Sequence, residues 1–69
     1  MKIRGGVKQA LLVQLRAQAP LSELEARMLL RQLAESDYRV ENWLTEKRVK
    51  VLLRILAKEG KLKGRLRLG

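Results

Sequence analysis

Thr45–Gly60 reads TEKRVKVLLRILAKEG, and this stretch decides what kind of domain the chain builds. At about 100° per residue, Val49, Leu52, Leu53 and Leu56 share one arc of a helix, while Lys47, Lys50, Arg54 and Lys58 share an arc almost opposite. Thr45 carries the hydroxyl that a helix N-cap needs, and Glu46 complements the positive helix start. Lys58 suits the last turn, and Gly60 is placed for the left-handed residue that closes a helix. The spacing predicts a helix over 46–59 with an apolar back and a basic front.

The basic front belongs to a wider asymmetry. From Lys47 to Gly69, nine basic residues (Lys47, Arg48, Lys50, Arg54, Lys58, Lys61, Lys63, Arg65 and Arg67) stand against Glu59 alone, a net of +8. From Met1 to Glu46, seven basic residues meet six acids, a net of +1, which completes the +9 of the whole chain. A charge stripe opposite an apolar stripe is, by itself, what any solvated amphipathic helix shows. The distribution of acids tips the reading. Glu23/Arg27 and Arg31/Glu35 have the i,i+4 spacing of ordinary surface pairs, and the last third has no such balance. Like charges at that density oppose folding, so a polyanionic partner, most often nucleic acid, is the economical explanation.

Length and composition bound the rest. Sixty-nine residues make one domain, 1–69, near the lower limit for a core without staples. The chain has no Cys and no His, so no disulfide or zinc site is expected, and no other metal or cofactor. Stability must come from aliphatic packing. With 46% hydrophobic residues but one Trp, one Tyr and no Phe, that packing is expected from helices lined with Leu, Val and Ala. Without Cys or His the commonest nucleophile and the commonest acid/base are missing, and Ser22, Ser36 and Thr45 read as helix caps, so no enzyme is expected. No apolar run approaches the roughly 18 residues that span a bilayer, and no signal-peptide pattern opens the chain. A cytoplasmic protein without membrane insertion is the expectation.

Upstream of the basic helix, Val7, Leu11, Leu12, Leu15 and Ala19 fall on one side of a helix over 7–19, which Pro20 ends. Lys2-Ile3-Arg4 reads either as a minimal strand or as a loose terminus. Ser22-Glu23-Leu24-Glu25 is a capping-box pattern, with Leu21 and Ala26 at the hydrophobic-staple positions, so a second helix is expected over 22–35. Its main stripe is Ala26, Leu29, Leu30 and Leu33, and Leu24 with Met28 forms a second apolar side. A helix apolar on two sides is expected between neighbours, as the centre of the core.

Residues 36–45 (SDYRVENWLT) read as a loop, a short strand through Arg39-Val40-Glu41, or a short helix capped by Ser36 and running through Trp43. The short helix is favoured, because ten irregular residues are long for so small a domain. Tyr38 and Trp43 are expected at the core or its edge. After Gly60 the period changes from 3.6 to 2: Lys61, Lys63, Arg65 and Arg67 alternate with Leu62, Gly64, Leu66 and Leu68. This predicts a half-buried strand with a basic outer face, with Gly64 marking a bulge or tight turn.

A basic-faced helix, a glycine stop and a short basic strand together resemble the end of a winged helix-turn-helix DNA-binding domain, carried by Leu52-Leu53-Arg54-Ile55-Leu56-Ala57-Lys58-Glu59-Gly60-Lys61-Leu62-Lys63. The resemblance covers residues 36–69. It implies a helix-turn-helix made of the helix from Asp37, a turn near Leu44-Thr45 and the helix from Glu46, the last lying in the major groove. Nine residues follow Gly60, fewer than a regular two-stranded wing uses, and the basic helix lacks the Asn and Gln that read adenine.

The sequence thus predicts a mainly α domain of three to four helices with a short C-terminal β-strand or wing. The expected function is DNA binding in transcription regulation, as a dimer or with a partner, through the nine basic residues from Lys47 to Arg67. RNA or ribosome binding is the alternative within the same chemistry. Docking of an acidic protein and adsorption to an anionic membrane surface are the alternatives outside it.

Overall fold

The three segments with a helical apolar period and the short helix favoured over 36–45 all form helices. In the computed structural model, which describes residues 6–64, the order is α1 (Gly6–Gln18), α2 (Glu23–Ser36), α3 (Tyr38–Trp43) and α4 (Glu46–Lys58). The boundaries follow local chemistry. Pro20 pushes Ala19 out of the helical region, and the Ala19 N–H makes a last-turn bond to the Arg16 carbonyl at 3.2 Å.

α2 opens with a complete capping box. The Glu25 N–H donates to Ser22 Oγ at 3.0 Å, and the Ser22 N–H donates to Glu25 Oε1 at 2.9 Å. Two of the donors that a helix start leaves without partners are satisfied in this way. Leu21 and Ala26 are both buried at the staple positions.

Asp37 explains why 36–45 is not a loop. Its N–H donates to the Leu33 carbonyl at 3.0 Å, closing α2, and its Oδ1 accepts from the Arg39 N–H at 2.9 Å, opening α3. The cap is Asp37 rather than Ser36, which remains the last residue of α2 and donates its hydroxyl back to the Gln32 carbonyl at 3.0 Å. Leu44 and Thr45 have extended backbones and link α3 to α4, and Thr45 Oγ1 accepts from the Arg48 N–H at 3.2 Å.

The core is aliphatic throughout. α1 contributes Leu11, Leu12 and Leu15, α2 contributes Ala26 and Leu30, α3 contributes Val40, and α4 contributes Val49, Leu52, Leu53 and Leu56. α1 and α2 each pack on the other three helices. Full burial of a leucine is worth about 1.5–3 kcal/mol, so the three fully buried leucines of α4, Leu52, Leu53 and Leu56, are a large part of what holds the domain together.

Three further expectations change. α2 is not apolar-packed on two sides, since Leu24 is 66% and Met28 54% exposed. Its neighbours all gather on the Ala26/Leu30 side, leaving the second apolar pair facing water. Tyr38 is 72% exposed, because a helix of six residues offers one inner face and Val40 occupies it, while Trp43 lies half-buried at the core edge.

The third change concerns the strand expected over 61–68. Among the described residues β pairing is confined to an isolated parallel bridge between Leu21 and Leu62. The Leu21 N–H donates to the Lys61 carbonyl at 3.1 Å, and the Lys63 N–H donates to the Leu21 carbonyl at 2.6 Å. Gly64 then turns to φ +72°, so the extended run breaks there. Residues 65–68, like the Lys2-Ile3-Arg4 segment, lie outside the described residues.

α4 ends as its sequence predicts. Gly60 adopts φ +71°, its N–H donates to the Ala57 carbonyl at 3.1 Å, and the Lys61 N–H donates to the Leu56 carbonyl at 2.9 Å. This pair of bonds is the Schellman arrangement. A Cβ at Gly60 would meet nothing within 4 Å, so Gly60→Ala is expected to lose only the backbone term, about 1–2 kcal/mol. Leu53→Ala opens a cavity and is expected to lose about 2–5 kcal/mol. Urea denaturation of both variants checks the ranking; an effect of Leu53→Ala no larger than that of Gly60→Ala would contradict the core assignment.

Candidate nucleic-acid interface

The leucine face of α4 fixes what the opposite face must present. Lys47, Val51, Arg54 and Lys58, spaced i, i+4, i+7 and i+11, form the line pointing most directly away from the core. Lys47, Arg54 and Lys58 are exposed, and Val51 is 37% exposed. Lys50 lies on the shoulder of the same face and is half-buried, as is Lys61 just beyond the helix. Among the described residues, none of these five cations enters an ion pair.

Two other sequence-predicted site residues have internal commitments. Arg48 lies over the Trp43 ring, its guanidinium carbon 4.9 Å from the centroid, and its Nη1 donates to the Trp43 carbonyl at 2.8 Å. It pins α4 to the end of α3. Lys63 lies 3.6 Å from Glu25, between the C-terminal segment and the start of α2. Arg65 and Arg67 are outside the described residues.

The acids that flank the basic helix are taken up by its neighbours. Arg27 of α2 donates Nη1 and Nη2 to the two carboxylate oxygens of Glu46, both at 2.9 Å, and Nε to Glu23 at 3.2 Å. Arg16 of α1 donates Nε and Nη2 to Glu59 at 2.9 and 2.6 Å. Both pairs are two-pronged, the geometry in which an arginine fork best matches a carboxylate. α4 is therefore clamped at its first residue by α2 and at its C-cap by α1. Glu59 stands at the negative end of the helix, where a carboxylate is unfavourable, and Arg16 offsets that charge.

These contacts pull three carboxyls below their ordinary pKa. For Glu46 the hydrogen bonds from Arg27 are the largest cause, with the charges of Arg27 and Lys50 adding to them. For Glu59 the hydrogen bonds from Arg16 lead, followed by the charges of Arg16 and Lys61. For Glu25 the Ser22 backbone N–H leads, followed by the charge of Lys63.

Sequence reasoning brought out the α4 face and missed both clamps. Arg27 was legible as the i,i+4 partner of Glu23, and that pair forms. Its second partner, Glu46, is nineteen residues away, beyond the reach of any helix-face spacing. The expected Arg31/Glu35 pair is not among the ion pairs of the described residues.

Two grooves lie away from the basic line. One runs along α2 past Leu24, Met28 and Gln32, and the other lies among Leu30, Ala34, Leu44 and Val49. Lys47, Arg54 and Lys58 line neither of these two grooves. Among the described residues no three His, Cys, Asp or Glu side chains gather as metal ligands would, and no helix is long and apolar enough to cross a membrane. Comparison with family models, with curated proteins and with solved structures finds no match to this chain.

The clamps fix the sign of the acid response. A carboxyl whose pKa is lowered by folding stabilises the fold above its unfolded value, here the ordinary 4.5, and that contribution is lost as pH falls through the folded value. Urea midpoints are therefore expected to hold steady from about pH 7 to 5 and to decline below about 4.5. In the Arg16→Gln, Arg27→Gln double variant the midpoint at neutral pH should be lower and the acid decline shallower. Parallel declines in the two proteins would show that the acid sensitivity lies elsewhere.

Proposed function

We propose that this protein is a nucleic-acid-binding module whose contact surface is the outer face of α4, with duplex DNA as its ligand and transcription regulation as its role. The observation that carries the reading is the division of charge around α4. Its flanking acids, Glu46 and Glu59, are held by Arg27 and Arg16 of other helices. Lys47, Lys50, Arg54 and Lys58 enter no ion pair among the described residues, and the charge of Lys50 acts on a Glu46 that Arg27 already binds. A surface cation row left without carboxylates in a chain of net charge +9 attracts a polyanion and gains affinity by releasing its counterions.

The order of elements supports duplex DNA. A short helix, a two-residue link and a longer basic-faced helix are the parts of a helix-turn-helix, in which the second helix enters the major groove. The segment from Lys61 onward adds basic charge in sequence, with Arg65 and Arg67 as further phosphate contacts in the manner of a wing.

Because Arg48 and Lys63 have internal partners, four to six phosphate contacts are expected. At about −0.9 per contact this gives a slope of log affinity against log salt of about −3.5 to −5.5. Titration of the full chain against duplex DNA across a salt series checks it. The Lys47→Glu, Arg54→Glu double variant should lose binding and keep its melting temperature, since both residues are exposed and exposed substitutions move stability little. No binding at low salt, or a slope shallower than about −2, rejects the reading.

A further inference from the structure

We infer that Arg54 reads a guanine in the major groove while Lys47 and Lys58 hold phosphates on either side of it. The inference rests on the nucleic-acid reading above and assigns the ligand a base identity. α4 carries two arginines, and they stand differently. Arg48 is held by the ring and the carbonyl of Trp43. Arg54 is exposed, lies on the outermost line of the helix and enters no ion pair among the described residues. Its planar fork of donors is free to meet two acceptors at once.

The helix offers few ways to read a base. Sequence discrimination in the major groove runs through Arg or Lys on guanine O6 and N7, Asn or Gln on adenine, and Asp or Glu on cytosine. α4 contains no Asn, Gln or Asp, and its one glutamate, Glu46, is bound by Arg27. Guanine is the base left for its polar side chains. A lysine is a compact point charge suited to a phosphate, whereas the arginine fork matches the guanine edge.

Spacing distributes the roles. At 1.5 Å per residue Lys47 lies about 10 Å before Arg54 and Lys58 about 6 Å after it, a span of about 16 Å. With the helix lying in the groove and Arg54 over the floor, the two lysines fall before and after it along the groove, where their long flexible stems reach flanking phosphates. Val51, the 37% exposed aliphatic member of the line, lies about 4.5 Å along the axis from Arg54. That is close to the 3.4 Å step of a DNA strand, and it sets an apolar side chain against the next base, where a thymine methyl fits.

The test uses the full chain and short duplexes of equal length at fixed salt, followed by fluorescence anisotropy. One duplex carries central G·C pairs, one is all A·T, and one carries 7-deazaguanine, which lacks N7 but pairs normally. The guanine duplex is expected to bind roughly 5- to 150-fold tighter than the all-A·T duplex, with part of that gain lost on 7-deazaguanine. Arg54→Lys, which replaces the two-pronged fork by a single point charge, should weaken the preference with the salt slope nearly unchanged. Lys47→Gln and Lys58→Gln should each weaken all duplexes alike and reduce the slope by about one.

Equal binding to all three duplexes with a steep salt slope overturns the inference and leaves the nucleic-acid reading standing. Tighter binding to double-stranded RNA, whose deep major groove side chains cannot read, also overturns it. Failure to bind any duplex at low salt removes both. The 7-deazaguanine comparison needs no protein variant, so it decides even if Arg54→Lys folds poorly.

Discussion

Leu52, Leu53 and Leu56 of α4 are fully buried, and the domain has no disulfide, no metal site among its described residues and almost no aromatic mass to substitute for them. In a chain this short the aliphatic core is the whole source of cohesion. The leucine face of α4 must therefore be turned inward, and helical periodicity then leaves Lys47, Arg54 and Lys58 nowhere to point but outward. The same constraint explains why Glu46 and Glu59 meet arginines from α2 and α1: once α4 is seated, its two ends are delivered to those helices. Core packing and surface charge are consequences of one orientation.

The electrostatics divide along the chain's own elements. At the two ends of α4, acids and arginines are matched in two-pronged pairs that join it to α1 and α2. Along the outer line of α4 the cations are left unmatched. Exposed pairs are individually weak, so the clamps contribute chiefly by fixing where charge is cancelled. They remove the two carboxylates that would otherwise screen the ends of the basic line.

Most of the helical fold was legible in the sequence because each helix carries its own boundary chemistry. The Ser22 box, the Thr45 cap, Pro20 and Gly60 act over three to five residues, and the structure places all four as the local pattern requires. What was illegible depends on distance. The pattern of α2 shows that Leu24 and Met28 are apolar, but it cannot say that α1, α3 and α4 all pack on the other side. Tyr38 fails for a related reason: α3 has a single inner face, and sequence alone does not say that Val40 holds it. The alternation after Gly60 is a local signal of which the described residues show one bridge, at Leu62, before Gly64 leaves the extended region. At the site, the basic line was visible as a periodicity, whereas Arg16 and Arg27 lie in other helices and announce themselves only through the folded contacts.

The connections between helices bear on how such a chain can change length. Asp37 alone separates α2 from α3 and caps both, and Leu44-Thr45 closes one helix and opens the next. Between α1 and α2, Leu21 both donates to and accepts from the segment 61–63 while its side chain is buried. Surface loops ordinarily tolerate insertions because their backbone has little else to do. Here every internal connection has its backbone or capping groups already engaged, so an added residue would break a cap or a bridge. Growth of this domain, by natural drift or by fusion, is confined to its two ends.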